Sequence, residues 1–177
     1  MATFAFTRAR EVLMADIAVT RSQNASVDWS AAIMAGVIAG IVFMMIEMFM
    51  MPMFGFAPSM WAPPRMIGAI GLGEGALPPP ATFDATIVMV AMLIHFATSI
   101  LFAIVVAFII RNLAMGAAIA VGVVAALLLY VFVFYVMTAG PWPWFENGRN
   151  WVSIFAHVVF GALVAWWYKA RAHPAAA

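Results

Sequence analysis

Residues 85–110 read ATIVMVAMLIHFATSILFAIVVAFII and hold a single ionisable side chain, that of His95. An α-helix rises about 1.5 Å per residue, so about 20 apolar residues are enough to cross the hydrocarbon core of a bilayer, which is about 30 Å thick. This stretch therefore predicts a membrane-spanning helix.

Three further apolar stretches are long enough to cross a bilayer, at residues 31–51, 113–138 and 151–168. The whole chain has the same character, since 67% of its 177 residues are hydrophobic and only 8% are charged. A soluble domain has about 25% charged residues, so this composition cannot supply a water-facing surface. We predict an all-α integral membrane protein with a four-helix transmembrane bundle over residues 31–168.

The basic residues are distributed unevenly between the two predicted sides of the membrane. Loops on the cytoplasmic side carry an excess of Lys and Arg. One side has only Arg65 and Arg149, whereas the other has Arg8, Arg10, Arg21, Arg111, Lys169 and Arg171. We therefore expect both termini to be cytoplasmic, with 1–30 as a cytoplasmic or interfacial segment and 169–177 as a cytoplasmic tail.

The two predicted outer loops are apolar and rich in residues that break helices. Residues 52–84 contain seven prolines and five glycines, so this Pro/Gly-rich outer loop cannot form one continuous helix. Within it, residues 60–72 are apolar enough to form a short interfacial or re-entrant helix. The second outer loop, 140–150, is rich in aromatic residues, and we expect its Glu146 and Arg149 to pair at the surface.

Three ionisable side chains lie within the predicted spans: Glu47, His95 and His157. Such groups are costly inside a bilayer, so each one indicates a function or a partner. One interpretation is a buried hydrogen-bond network that fixes helix register. In another, His95 and His157 are axial ligands to a haem or a bacteriochlorophyll-type chlorin held between two helices.

Small residues indicate which helix faces pack together. Residues four apart share one face of a helix, and small residues at that spacing let helix backbones approach each other in membranes. The predicted packing positions are Gly36, Gly40, Ser99, Ser153 and Gly161. Since His95 and His157 share these stripes, we predict that the ionisable groups point into the bundle.

The end of the first helix is rich in methionine around Glu47. Met44 and Met48 are four residues apart, and thioethers are soft ligands that suit Cu(I). A copper site formed by Met44, Met48 and Glu47 is therefore one interpretation. The other is that methionine, a flexible apolar side chain, fills irregular packing space here as elsewhere.

The sequence has features that disfavour catalysis and nucleic-acid binding. It has no cysteine and a formal net charge of +1, whereas nucleic-acid binding needs a strongly basic surface. No nucleophile–base pair, phosphate loop or zinc cluster is evident. We expect a protein that is not an enzyme and that does not bind nucleic acid.

Several short motifs resemble those of the YagU-type small bacterial inner-membrane proteins. These motifs are the glycines Gly36 and Gly40, Pro63-Pro64-Arg65, His95, and Ile154-Phe155-Ala156-His157. The resemblance spans residues 31–168 and implies a four-helix topology without a defined chemistry. The chain lacks the basic residue of that family's first helix, and its methionine-rich segment is not part of the family pattern.

These observations favour a non-catalytic accessory or scaffold subunit of a larger bacterial membrane complex, such as a respiratory or photosynthetic assembly. Its partners would be the lipid bilayer and other membrane-protein subunits. Two alternatives stay open. One is electron or excitation transfer through a haem or chlorin on His95 and His157, and the other is copper handling at the methionine-rich end of the first helix.

Overall fold

The computed structural model describes residues 26–172, and this part of the chain is helical without any β-strand. The predicted interfacial segment lies mostly outside the described residues, as do the last five residues of the predicted tail. The α-helices are α1 (Trp29–Met53), α2 (Ala62–Leu72), α3 (Ala85–Ile110), α4 (Met115–Val131) and α5 (Trp151–Arg171).

Four helices are long and apolar enough to span a membrane, which confirms the predicted number. These are α1, α3, α5 and α4 with its extension. The extension is a π-helical turn, Phe132–Val136, followed by a 3-10 turn, Met137–Ala139, which carries the span from Met115 to Ala139.

Side-chain caps set where three of the spans begin. The carboxylate of Asp28 accepts a hydrogen bond from the Ala31 amide over 3.0 Å, and that of Asp84 accepts one from Ile87 over 3.0 Å. The side-chain oxygen of Asn150 accepts from the first amides of α5. Each cap satisfies backbone amides that have no partner within the first turn of a helix.

The helices pack in the order α3, α1, α5, α4. Although α3 and α4 are consecutive in the chain, they touch each other only lightly. At one end of the bundle, Lys169 donates to the carbonyl oxygen of Arg111 over 3.0 Å, which ties the last turn of α5 to the α3–α4 connection. We call this the terminal end, and the opposite end, which carries residues 54–84 and 140–150, the loop end.

The first connection at the loop end is partly helical. Within it, α2 begins at a Pro63-Pro64 pair, which suits the first turn of a helix because proline has no amide hydrogen to leave unpaired. The helix packs against α3. Arg65 is buried and donates to the carbonyl oxygen of Thr82 over 3.0 Å, which holds the return segment against α2.

The second connection is fixed to its surroundings by Arg149. This side chain pairs with Glu146 over 2.7 Å, as predicted, and it also donates to the carbonyl oxygen of Phe134 over 2.7 Å and to Thr138 over 2.8 Å. The Phe134 carbonyl lies in the π-helical turn, where widening of the helix disturbs the regular backbone ladder. Arg149 therefore joins the connection to the distorted end of α4.

Candidate functional site

Five buried polar side chains lie between α1, α3 and α5. They are Glu47, His95, Ser99, Ser153 and His157, and we call them the polar cluster. Glu47 is 7% exposed and Ser153 is fully buried. In a membrane-spanning bundle such groups need partners from the protein itself, because lipid offers none.

The part of the polar cluster between α1 and α3 depends on two glycines, which have no side chain to separate the helices. The Nε2–H of His95 donates to the carbonyl oxygen of Gly40 over 2.9 Å. A Cβ atom at Gly40 would lie 3.0 Å from the hydroxyl of Ser99, and one at Gly36 would lie 2.7 Å from the Cα of Ile100. Glycine at both positions therefore lets α1 and α3 come close enough for the histidine to bond across the interface.

The part of the polar cluster between α1 and α5 is centred on Ser153. The Nδ1–H of His157 donates to the backbone carbonyl of Ser153 over 2.7 Å, within the same helix. The Ser153 hydroxyl lies 4.0 Å from the sulfur of Met51 and beside the carboxyl group of Glu47. Because the imidazole bonds the carbonyl rather than the hydroxyl of Ser153, this pair lacks the arrangement that activates a serine nucleophile.

Glu47 has an unsatisfied oxygen atom. Its Oε1 is buried and has no hydrogen-bond partner. Among the described residues, the ion pair is that of Arg149 with Glu146, at the surface. No Lys or Arg of that part of the chain therefore neutralises Glu47. A buried carboxyl oxygen without a hydrogen-bond partner is costly in an apolar environment, and it marks Glu47 as the most unusual member of the polar cluster.

Both histidines of the polar cluster pack against the same phenyl ring, that of Phe43. Its centroid lies 5.7 Å from the His95 ring and 4.9 Å from the His157 ring. Tyr130 and Phe134 enclose His157 from α4, with centroids 5.4 Å and 5.7 Å away. A haem or chlorin bound by both imidazoles would need the space beside them that Phe43 fills.

The contact between α4 and α5 is built on a pair of glycines. A Cβ at Gly161 would overlap the carbonyl oxygen of Gly122, and a Cβ at Gly122 would overlap that of Gly161. Gly161 was a predicted packing position, whereas Gly122 was missed. The signal for it is a small-residue stripe on α4, with Ala118 and Ala126 four residues on either side, all buried.

The buried face of α1 near the loop end carries Met44, Glu47 and Met51. Met48, which the sequence paired with Met44, is only half-buried. The side chain that faces Ser153 is that of Met51 instead. Within residues 26–172 no group of three or more His, Asp and Glu side chains is placed to hold a metal ion.

No family model, curated protein or solved structure matches the chain.

Proposed function

We propose that the chain is a non-catalytic accessory or scaffold subunit of a larger bacterial membrane complex, of the respiratory or photosynthetic kind. The observation that carries this proposal is the exposed face of α4. This helix packs on α5 but touches α3 only lightly, so much of its circumference has no neighbour from the described chain. Only 28% of its most apolar stretch is buried, against 33% for α1 and for α3 and 50% for α5.

The exposed face of α4 has the composition of a helix-packing surface. Near the terminal end it presents Gly116, Ala117 and Ala120, all exposed. A Cβ at Gly116 would meet no atom of residues 26–172 within 4 Å, so this glycine has no packing role within the described part of the chain. Because small residues four apart favour close contact with another membrane helix, this face supports a contact with a second subunit.

The loop end offers a second apolar surface. Phe54, Phe56 and Trp151 form an exposed aromatic group, with the Phe54 and Trp151 rings 4.7 Å apart. Tryptophan is common at the membrane–water interface, and a cluster of this kind also suits contact with a neighbouring subunit. Both surfaces are consistent with a protein whose function is to pack beside others.

The orientation and the location of the chain belong to the same proposal. Arg111, Lys169 and Arg171 lie at the terminal end, which supports a cytoplasmic position for that end by the positive-inside rule. The bacterial inner membrane is the location that we propose. The resemblance to YagU-type proteins agrees with such a location.

Size separation after mild detergent extraction from the native membrane tests the proposal. We expect migration well above the 19.2 kDa chain with its detergent, with other polypeptides in the same peak. Gly116→Leu combined with Ala120→Leu fills the exposed face of α4 and should release the chain from that peak. Ala97→Leu adds the same kind of bulk at an exposed position of α3 and should not.

A single small peak for the unaltered protein contradicts the subunit proposal. An absorption scan of the same peak addresses the haem or chlorin alternative. A visible cofactor band that is lost in both His95→Phe and His157→Phe would favour that alternative, in which case Phe43 must move to admit the macrocycle.

A further inference from the structure

A cavity of about 300 Å³ opens at the terminal end of the bundle, between the start of α1 and the end of α5. It is lined by Asp28, Ser30, Ala31, Met34, Trp167 and Arg171. Ligand sites in proteins usually have volumes of about 300–1,000 Å³. The cavity is therefore at the lower limit of that range and is large enough for a small polar group.

The cavity lies at the level where a bilayer changes from hydrocarbon to lipid headgroups. Helix α5 has 21 residues, which at about 1.5 Å per residue extend about 32 Å, close to the thickness of a hydrocarbon core. Because Arg171 ends this helix, its side chain lies at the membrane–water boundary. Two exposed tryptophans at the same end, Trp29 and Trp166, agree with this level. Lipid headgroups are therefore the ligands within closest reach of the cavity.

The walls of the cavity carry opposite charges from two helices. At the start of α1, the Asp28 carboxylate accepts hydrogen bonds from the Ser30 hydroxyl over 2.8 Å and from the Ala31 amide over 3.0 Å, which fix its position. At the end of α5, the guanidinium carbon of Arg171 lies 5.1 Å from the centre of the Trp167 ring. Arg171 is exposed, and no carboxylate of the described segment forms an ion pair with it. One ligand can therefore meet an anionic and a cationic group together.

These walls favour a ligand that itself carries both charges. The guanidinium of Arg171 suits a phosphate group, whereas the carboxylate of Asp28 suits a cation. A primary ammonium has three N–H donors for a carboxylate. A quaternary ammonium has none and binds an aromatic face instead, but Arg171 already lies over the Trp167 ring. Within two turns of Asp28 along α1 the lining is apolar, and Met34 is 47% exposed there, which suits an acyl chain.

We propose that this cavity binds the headgroup of a phospholipid with a primary ammonium group, of the phosphatidylethanolamine type. The phosphate group of the lipid binds Arg171, its ammonium binds Asp28, and an acyl chain follows α1 past Met34. This site is independent of the subunit role, because one chain supplies all of its walls and the exposed face of α4 is not used.

Native mass spectrometry of the full-length chain in detergent tests the proposal. The purified chain is given equal amounts of phosphatidylethanolamine, phosphatidylglycerol and phosphatidylcholine with the same acyl chains. We expect one phosphatidylethanolamine to be retained per chain, about tenfold more strongly than either of the other two lipids, because one hydrogen bond between charged groups has an effect of about that size.

Two variants test the two charges of the cavity. Asp28→Asn removes the negative charge but keeps the helix cap, because asparagine caps a helix about as well as aspartate does. We expect it to abolish the preference for phosphatidylethanolamine. Arg171→Gln should weaken retention of all three lipids, since each of them has a phosphate group.

Arg111→Gln is the matched control. It removes a guanidinium group at the same end of the bundle that does not line the cavity and that lies over the Phe108 ring instead. It should retain phosphatidylethanolamine like the unaltered chain. Helix content and detergent sizing verify that all these variants fold.

Three results would overturn the proposal. They are a folded chain that does not prefer phosphatidylethanolamine, an unchanged preference in Asp28→Asn, and an equal loss in the Arg111→Gln control. Stronger retention of phosphatidylglycerol belongs to the first of these, since it would show that the basic residues of the terminal end simply attract anionic lipid. None of these results bears on the size of the particle extracted from the native membrane, so the two proposals fail separately.

Discussion

His95 donates from Nε2 to the carbonyl oxygen of Gly40 over 2.9 Å, and this bond joins α3 to α1 inside the bundle. A helical carbonyl oxygen keeps a second lone pair after it has accepted its own backbone bond. The histidine uses that lone pair without breaking the helix. The contact therefore fixes the relative position of two helices without an ion pair.

Replacing this histidine should measurably loosen the α1–α3 contact. Hydrogen bonds between membrane helices contribute about 0.6 kcal/mol on average and about 1.7 kcal/mol at most. We expect His95→Phe to lower the free energy of unfolding by about 1 kcal/mol, within that range. His95→Gln keeps a donor and should retain more of the stability. Denaturation by SDS in mixed micelles, followed by circular dichroism, measures both, and equal losses would argue against the bond.

A methyl group added at the glycine pair between α4 and α5 should destabilise the bundle. In Gly122→Ala the new Cβ overlaps the Gly161 carbonyl oxygen, and we expect a loss of about 1–3 kcal/mol from forced separation of the helices. Gly116→Ala is the control, since a Cβ there meets no atom of the described residues within 4 Å. Alanine is a better helix former than glycine at both sites, so the difference between the variants isolates the overlap. Similar stability for the two would contradict this packing.

The role of Arg149 can be separated from its surface ion pair. Glu146→Gln removes only an exposed pair, which contributes about 0–1 kcal/mol. Arg149→Gln also removes the bonds to the Phe134 carbonyl and to Thr138. We expect Arg149→Gln to speed amide hydrogen exchange over residues 132–150 at least several-fold more than Glu146→Gln does. If the two variants exchange alike, the ion pair alone holds this connection.

A tryptophan links the two connections at the loop end. The Nε1–H of Trp144 donates to the carbonyl oxygen of Met66 over 3.0 Å, so Trp144→Phe should free α2 and raise hydrogen exchange in residues 62–72. Trp142→Phe is the comparison, because Trp142 packs its ring against Phe145 in the same connection. Unchanged exchange in α2 for the Trp144 variant would show that packing against α3 is sufficient to hold it.

The four helices were predictable because each is a long apolar run with the length and composition of a membrane span. The burial of Glu47, His95 and His157 was predictable as well, because small residues at helical spacing accompany the two histidines and α1 carries Gly36 and Gly40 on the side of Glu47. These signals are local. They depend on composition and on the period of one helix.

The sequence did not predict which helices meet. Gly122 was missed because its packing role depends on Gly161, which lies in the next span, α5. The sequence paired Met44 with Met48, whereas the structure buries Met51 and leaves Met48 half-buried, because periodicity gives the spacing of a face but not the rotation of the helix that presents it. Phe43 was missed for a related reason. One apolar side chain among many in an apolar helix gives no sequence signal that it contacts both histidines.

The place of α5 in the packing order has a consequence for biosynthesis. It is the last of the four spans in the chain, and it packs on both α1 and α4. Synthesis proceeds from the N-terminus, so α1 is made while Ser153, which lies beside Glu47, is still untranslated. Until α5 is made, α4 also lacks its main neighbour. Membrane insertion of the first three spans is thus separated in time from closure of the bundle, and a chain interrupted before Trp151 would leave the Glu47 carboxyl uncovered within the bilayer.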